Sequence, residues 1–169
     1  MLDFSQELAL QIPRLRRYAR ALTHNAAWAD DLVQDTLERA LRRRWLFRLQ
    51  SNLTAWLMTI LYRLYLNEAA RYRKAQEMQA AQLPEPVGRD EHGWQIDMQR
   101  ALARLSVEHR AVIVLVGLEQ VSYQEAAEIL GVPPGTIMSR LARARSQLRA
   151  ILSGQVDASA APVHLSRIK

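Results

Sequence analysis

Cysteine is missing from all 169 positions, which excludes both a disulfide framework and a thiolate metal site. Histidine is scarce. His24, His92, His109 and His164 lack an i,i+4 pair at ligand spacing, so each reads as a surface or capping residue and no metal is expected. Glycine and proline number six each, while alanine, leucine and arginine dominate, a balance that favours helices over strands. No apolar run approaches the ~20 residues that span a bilayer. The opening MLDFSQELAL is acidic where a secretory leader is basic, so a soluble, cytoplasmic protein is expected. No nucleophile–base pair, phosphate-cradling glycine loop or metal cluster can be assembled from these motifs, so neither an enzyme nor a cofactor is expected.

Acid is also missing locally, and that absence is the most informative. From Gly131 to Leu152 there is no Asp or Glu. The stretch VSYQEAAEILGVPPGTIMSRLARARSQL, Val121 to Leu148, reads as a short helix, a tight turn and a longer arginine-studded helix. Ser122 and Glu125 form a capping box at the first start. Ala126, Ala127, Ile129 and Leu130 supply its buried face, Gly131 suits a left-handed end, and Pro133–Pro134 open the next helix. Ile137, Leu141, Ala144, Leu148 and Ile151 share one side of that helix. Thr136, Met138, Ser139, Arg140, Arg143, Arg145 and Arg149 therefore lie on its flanks and outer surface. An ordinary helical hairpin with a solvated arginine face has the same local pattern, but the acid-free second helix favours a helix-turn-helix that meets phosphates and base edges. The net charge of +6 and pI near 10.3 agree with a nucleic-acid partner, although binders of acidic membranes share that charge.

Helical spacing continues upstream. Leu8, Ile12, Leu15, Ala19 and Leu22 predict a first helix that Pro13 restarts or kinks. A second is expected from about Ala27 to Arg44, burying Leu32, Val33, Thr36, Leu37, Ala40 and Leu41. Asn52 or Thr54 can cap a third, from about Ala55 to Arg73. From Ala75 to Gly93 the composition turns to Ala/Gln and then Pro84, Pro86, Gly88 and Gly93, as in a linker. Helical spacing resumes at Trp94, and Ser106 caps a further helix carrying Val112, Ile113, Leu115 and Val116. The expectation is an all-α protein of two small helical domains on a flexible linker: residues 1–74, a tether at 75–93, a helix-turn-helix domain at 94–152, and a disordered tail at 153–169.

The first domain is also basic, with thirteen Lys/Arg against five Asp/Glu from Arg14 to Lys74. Arg42, Arg43 and Arg44 precede Trp45 and Phe47, while Arg63, Arg71, Arg73 and Lys74 share a helix with Trp56, Tyr62 and Tyr65. Arginines with aromatics suit unpaired nucleic acid, since each stacked base is worth ~1–3 kcal/mol. Trp56, beside Leu57 and Ile60, reads as core, and Tyr62 and Tyr65 fit either face. Asp31, Gln34, Asp35 and Glu38 instead share one outward strip of the second helix. Their acids also complement the helix dipole, but an acidic strip in a basic domain is better placed to meet protein than DNA.

Together these residues resemble a bacterial RNA polymerase sigma factor of the extracytoplasmic-function (ECF) family. The likeness is carried by YARALTHNAAWADDLVQDTLERAL, by Asn52-Leu53-Thr54-Ala55-Trp56-Leu57, and by SYQEAAEILGVPPGT with SRLARAR. It implies that the chain binds core RNA polymerase, recognises and melts promoter DNA, and leaves catalysis to the polymerase. By that resemblance Asp31, Gln34, Asp35 and Glu38 would meet the polymerase. Gln50, Ser51 and Asn52, with Arg63, Arg71 and Arg73, would serve the −10 element, Asn52 lying nearest a flipped base. Thr136, Ser139, Arg140, Arg143 and Arg145 would serve the −35 element. An anti-sigma factor is implied as a further partner. Tyr62-Arg63 stands where many relatives have Arg-Asn, and Met138 where lysine is frequent. Two other readings remain beside this one: a sigma mimic that sequesters a regulator, and a free-standing helix-turn-helix repressor.

Overall fold

The computed structural model describes residues 3–47, 52–78 and 93–154, of which 72–73, 76–78 and 93–96 are described by backbone alone. Every regular element among them is helical. The order is α1 (Phe4–Thr23), α2 (Ala26–Arg42), a short 3-10 turn at Arg44–Leu46, α3 (Leu53–Met78), α4 (Gly93–Ala103), α5 (Val107–Ile113), a π-helical turn at Val114–Leu118, α6 (Tyr123–Leu130) and α7 (Pro134–Leu152). None of these helices is long and apolar enough to cross a membrane.

Local chemistry sets most of the helix ends. Asn25 accepts from the Trp28 N–H at 2.8 Å and starts α2, and Ser106 accepts from the His109 N–H at 3.3 Å and starts α5. His24 closes α1 in the left-handed region, φ 51°, a conformation that asparagine or glycine adopts more readily. Pro13 does not restart α1, which runs unbroken through it. Pro13 and Ala9 both lie on the exposed face, so the carbonyl that Pro13 cannot serve meets solvent. α3 continues past Arg73 to Met78 because Ala75, Gln76, Glu77 and Met78 are good helix formers. The rest of the expected tether, like the tail beyond Gly154, lies outside the described residues.

Helices α1, α2 and α3 form the first lobe around Leu15, Tyr18, Leu32, Leu57, Met58 and Leu61, all fully buried. Each such leucine contributes about 1.5–3 kcal/mol by leaving water. Thr36 is buried among them because its hydroxyl donates to the Leu32 carbonyl at 2.7 Å. Leu41, expected in the core, is 46% exposed, since the last turn of α2 carries it to the surface. The second lobe, α4 to α7, closes over Val112, Val114, Leu115, Ile137, Leu141 and Ala144. The two lobes do not stand apart: their buried side chains form one continuous cluster, with α1 against α5 and α3 against α6.

Candidate nucleic-acid interface

The helix-turn-helix is built as its local sequence requires. Ser122 Oγ accepts from the Glu125 N–H at 3.1 Å, and the Glu125 carboxylate accepts from the Ser122 N–H at 2.9 Å. Gly131 takes φ 65° with no neighbouring atom near the position of a Cβ, so it is glycine for conformation and not for space. Pro133 then precedes α7, and Pro134 occupies its first turn, where a missing N–H costs nothing. Ile137, Leu141 and Ala144 anchor α7 in the core. On the other side Ser139, Arg143 and Arg145 are exposed, as is Met138 at 57%. Thr136 and Arg140 are half-buried. Arg140 is close enough to the first lobe for its charge to act on the Tyr62 phenol. Burial raises the pKa of that phenol first, Glu108 adds to the rise, and Arg140 opposes it.

Asn52 caps α3: its Oδ1 accepts from the N–H groups of Thr54 at 3.0 Å and Ala55 at 3.4 Å. Its Nδ2 donates across the lobes to Glu125 Oε1 at 2.6 Å. A cleft of about 330 Å³ opens beside it, lined by Asn52, Trp56, Thr59, Glu125, Glu128 and Ile129 among others. Trp56 is half-buried and packs on Phe47, which in turn packs on Phe4, with ring centres 5.4 and 5.9 Å apart. Tyr62 and Tyr65, for which either face was open, are both buried, so neither offers a ring to a base. Trp45, directly after Arg42, Arg43 and Arg44, presents an exposed ring, 77% open to solvent. Arg63 and Arg71 lie exposed along α3. The side chain of Arg73 and all of Gln50 and Ser51 lie outside the described residues.

Asp31, Gln34, Asp35 and Glu38 all face solvent on α2. Only intrahelical contacts engage the strip among the described residues: Gln34 donates to Glu38 at 3.4 Å, and Arg42 approaches Glu38 at 3.8 Å. Among the described residues no group of His, Asp and Glu is placed to hold a metal ion.

One group that sequence reasoning missed ties the lobes together. Glu119 has a fully buried carboxylate. Arg14 Nε reaches its Oε2 at 2.8 Å, and Arg17 Nε reaches its Oε1 at 2.9 Å. Arg14 Nη2 also donates to the Glu119 carbonyl at 2.6 Å. A lone acid after the apolar run VIVLVGL was the available signal, because a buried carboxylate needs cationic partners. Arg110 makes a second tie, donating to the carbonyls of Ala21 and Leu22 at the end of α1 at 3.2 and 3.3 Å.

Comparison with known proteins agrees with this architecture. Residues 8–62 match the family described as the Sigma2 domain of PhyR, and residues 95–148 match Sigma-70, region 4. The chain is 40% identical over 150 residues to the ECF RNA polymerase sigma factor EcfG of Rhodopseudomonas palustris, covering 86% of this chain and 83% of that protein. The sigma factor RpoE of Bartonella quintana, solved in complex with the anti-sigma factor NepR, superposes with a TM-score of 0.80 at 37% identity, covering 89% of this chain and 97% of RpoE. CnrH, solved with the cytosolic domain of CnrY, gives a TM-score of 0.66 at 28% identity over 90% of this chain and 89% of CnrH. By sequence, by both of its lobes and by fold, the chain belongs to the ECF RNA polymerase sigma factors, regulators that direct transcription initiation.

Proposed function

We propose that the chain docks on core RNA polymerase through Asp31, Gln34, Asp35 and Glu38 and then reads promoter DNA with both lobes. α7 enters the major groove at the −35 element, using Thr136, Ser139, Arg140, Arg143 and Arg145. Asn52, with Gln50 and Ser51 beside it, receives a flipped base of the −10 element, and Arg63, Arg71 and Arg73 hold phosphates. The chain itself performs no chemistry and acts in the cytoplasm. Its contribution is binding energy directed at an opened form of DNA, where unstacking costs a few kcal/mol that the protein contacts must return. An anti-sigma factor is the further partner, as NepR is for the Bartonella quintana protein.

The observation that carries this reading is the pairing of two faces of opposite character. One is an exposed acidic strip on α2, and the other is an exposed, acid-free α7. Phosphates repel the first and attract the second.

The test is binding of the purified chain to core polymerase, followed by run-off transcription on genomic fragments. Core binding with new, start-site-specific transcripts is the expected result. Core binding without transcripts would indicate a sigma mimic. Absence of core binding by well-folded protein would indicate a free-standing repressor.

A further inference from the structure

Between the acidic strip of α2 and the Asn52 cap of α3 lies a surface that the proposed reading leaves without a role. From Arg39 to Asn67 the sequence has no Asp or Glu, the same absence that marks α7. Arg42, Arg43 and Arg44 are all exposed there. Arg42 leans back to Glu38 at 3.8 Å, which marks the edge of the acidic strip. Trp45 follows with its ring in solvent, although tryptophan is on average a deeply buried residue.

The turn that carries this ring is fixed. Its 3-10 bonds run from the Leu46 N–H to the Arg43 carbonyl at 2.8 Å and from the Phe47 N–H to the Arg44 carbonyl at 3.1 Å. Phe47 then packs against Trp56, ring centres 5.4 Å apart, and Trp56 lines the cleft beside Asn52. The Trp56 N–H in turn bonds the Asn52 carbonyl at 3.1 Å. Trp45 and Asn52 are thus both seated on the same aromatic pair.

We infer that the Trp45 indole is a stacking platform for an unpaired DNA base, on the same strand as the base at Asn52, with Arg43 and Arg44 holding phosphates of that strand. The inference deepens the proposed function and rests on its placing of single-stranded DNA at Asn52. A protein partner can also bury an indole beside arginines, but the charges decide between the two. The strip that suits the polymerase ends at Glu38, and the three adjacent guanidiniums beyond it attract a polyanion. The two contacts then differ in kind. Asn52 reads a base through hydrogen bonds, whereas an aromatic face accepts any base, because every base has a π-face. A base inside a closed duplex already has both faces covered by its neighbours. The ring therefore adds affinity only for a strand that has opened, and adds it without sequence preference.

The full chain is titrated by fluorescence anisotropy against a labelled oligo-dT of about 12 nucleotides, within the range of single-strand site sizes. The comparison is an abasic oligomer of the same length and charge. The unmodified protein should bind oligo-dT about tenfold more tightly, the worth of one stacked base. Trp45→Ala should lose most of that preference by weakening oligo-dT binding alone, and Trp45→Phe should keep part of it. Arg43→Ala with Arg44→Ala should weaken both oligomers alike, and make the salt dependence shallower by about 0.7 in slope per phosphate released. All three side chains are exposed, so helicity by circular dichroism should be unchanged in each variant. Equal affinity of the unmodified protein for the two oligomers, or an unchanged preference after Trp45→Ala, would overturn the platform. If Trp45→Ala instead lost only affinity for core polymerase, the ring would be a protein contact and the inference would fall. The titrations contain no polymerase, so failure of core binding would sink the proposed function and leave the stacking result standing.

Discussion

Trp28 and Glu68 join the two helices that carry the opposing surfaces. The indole Nε1 of Trp28 on α2 donates to Glu68 Oε2 on α3 at 2.9 Å, and the same indole packs on Tyr65 with ring centres 5.4 Å apart. The bond sets the acidic strip at a fixed angle to the arginines of α3. Trp28→Phe keeps the ring packing and removes the donor. A hydrogen bond to a charged group is worth about 1.5–3 kcal/mol when dry, and Glu68 is half-buried, so the lower end applies. Melting should fall by a few degrees, at about 2–4 °C per kcal/mol for a chain of this size. Differential scanning calorimetry reads this directly.

The two proposed surfaces should fail independently. Asp31→Ala with Asp35→Ala removes two exposed charges and should weaken core binding while helicity and affinity for duplex DNA persist. Arg140→Ala with Arg143→Ala should do the reverse. The dependence of DNA affinity on salt should become shallower by about 0.9 in slope for each phosphate that the variant no longer neutralises. Anisotropy titrations at several salt concentrations test both arms, and loss of helicity in either double variant would contradict the surface assignment.

Acidification should loosen the end of α1. Burial, and then the nearby Arg110 charge, lower the His24 pKa from 6.5 to about 4. The unfolded chain thus takes up a proton at higher pH than the folded chain does, and stability drops as pH falls from 6.5 towards 4. His24 is exposed as a residue, so solvent screening limits the loss to under about 1 kcal/mol. His24→Asn should abolish this part of the slope and, because asparagine tolerates the left-handed region, should not destabilise the protein at neutral pH. Urea titrations at pH 7.5 and 5 measure it.

Glycine at two nearby positions should respond in opposite directions. Gly131 sits at φ 65°, so Gly131→Ala should cost about 1 kcal/mol in backbone strain alone. Gly135 has no positive φ and no atom near its missing Cβ, and it lies in the first turn of α7. Gly135→Ala should stabilise by about 0.5 kcal/mol through the unfolded state. Chemical denaturation of the two variants side by side is the check.

What could be read in advance was local. The Ser122–Glu125 box, the caps at Asn52 and Ser106 and the left-handed Gly131 depend on residues within three or four positions, and all are formed. The faces of α3 were not legible. Leu57, Met58, Leu61, Tyr62, Leu64 and Tyr65 are all buried, so that helix is enclosed on most sides and periodicity cannot tell which tyrosine points inward. Leu41 was misplaced because spacing alone does not show where a helix outruns its neighbour. Glu119 was marked locally only as a lone acid after an apolar run; its partners Arg14 and Arg17 lie more than a hundred residues upstream, so which cations it meets could not be read.

The π-helical turn at Val114–Leu118 has a consequence for winding. There the Glu119 N–H bonds the Val114 carbonyl, five residues back, at 2.9 Å, so the turn holds one residue more than an α-helix would. The surplus acts as a phase shifter. Leu118 comes to the outside at 55% exposure, and Glu119 comes inward, 3% exposed, facing α1. Removing one residue from this turn, Gly117 for example, would rotate the downstream helices by about 100°. The shortened chain would keep its helices, its turns and every one of its charges, and would point them in the wrong directions.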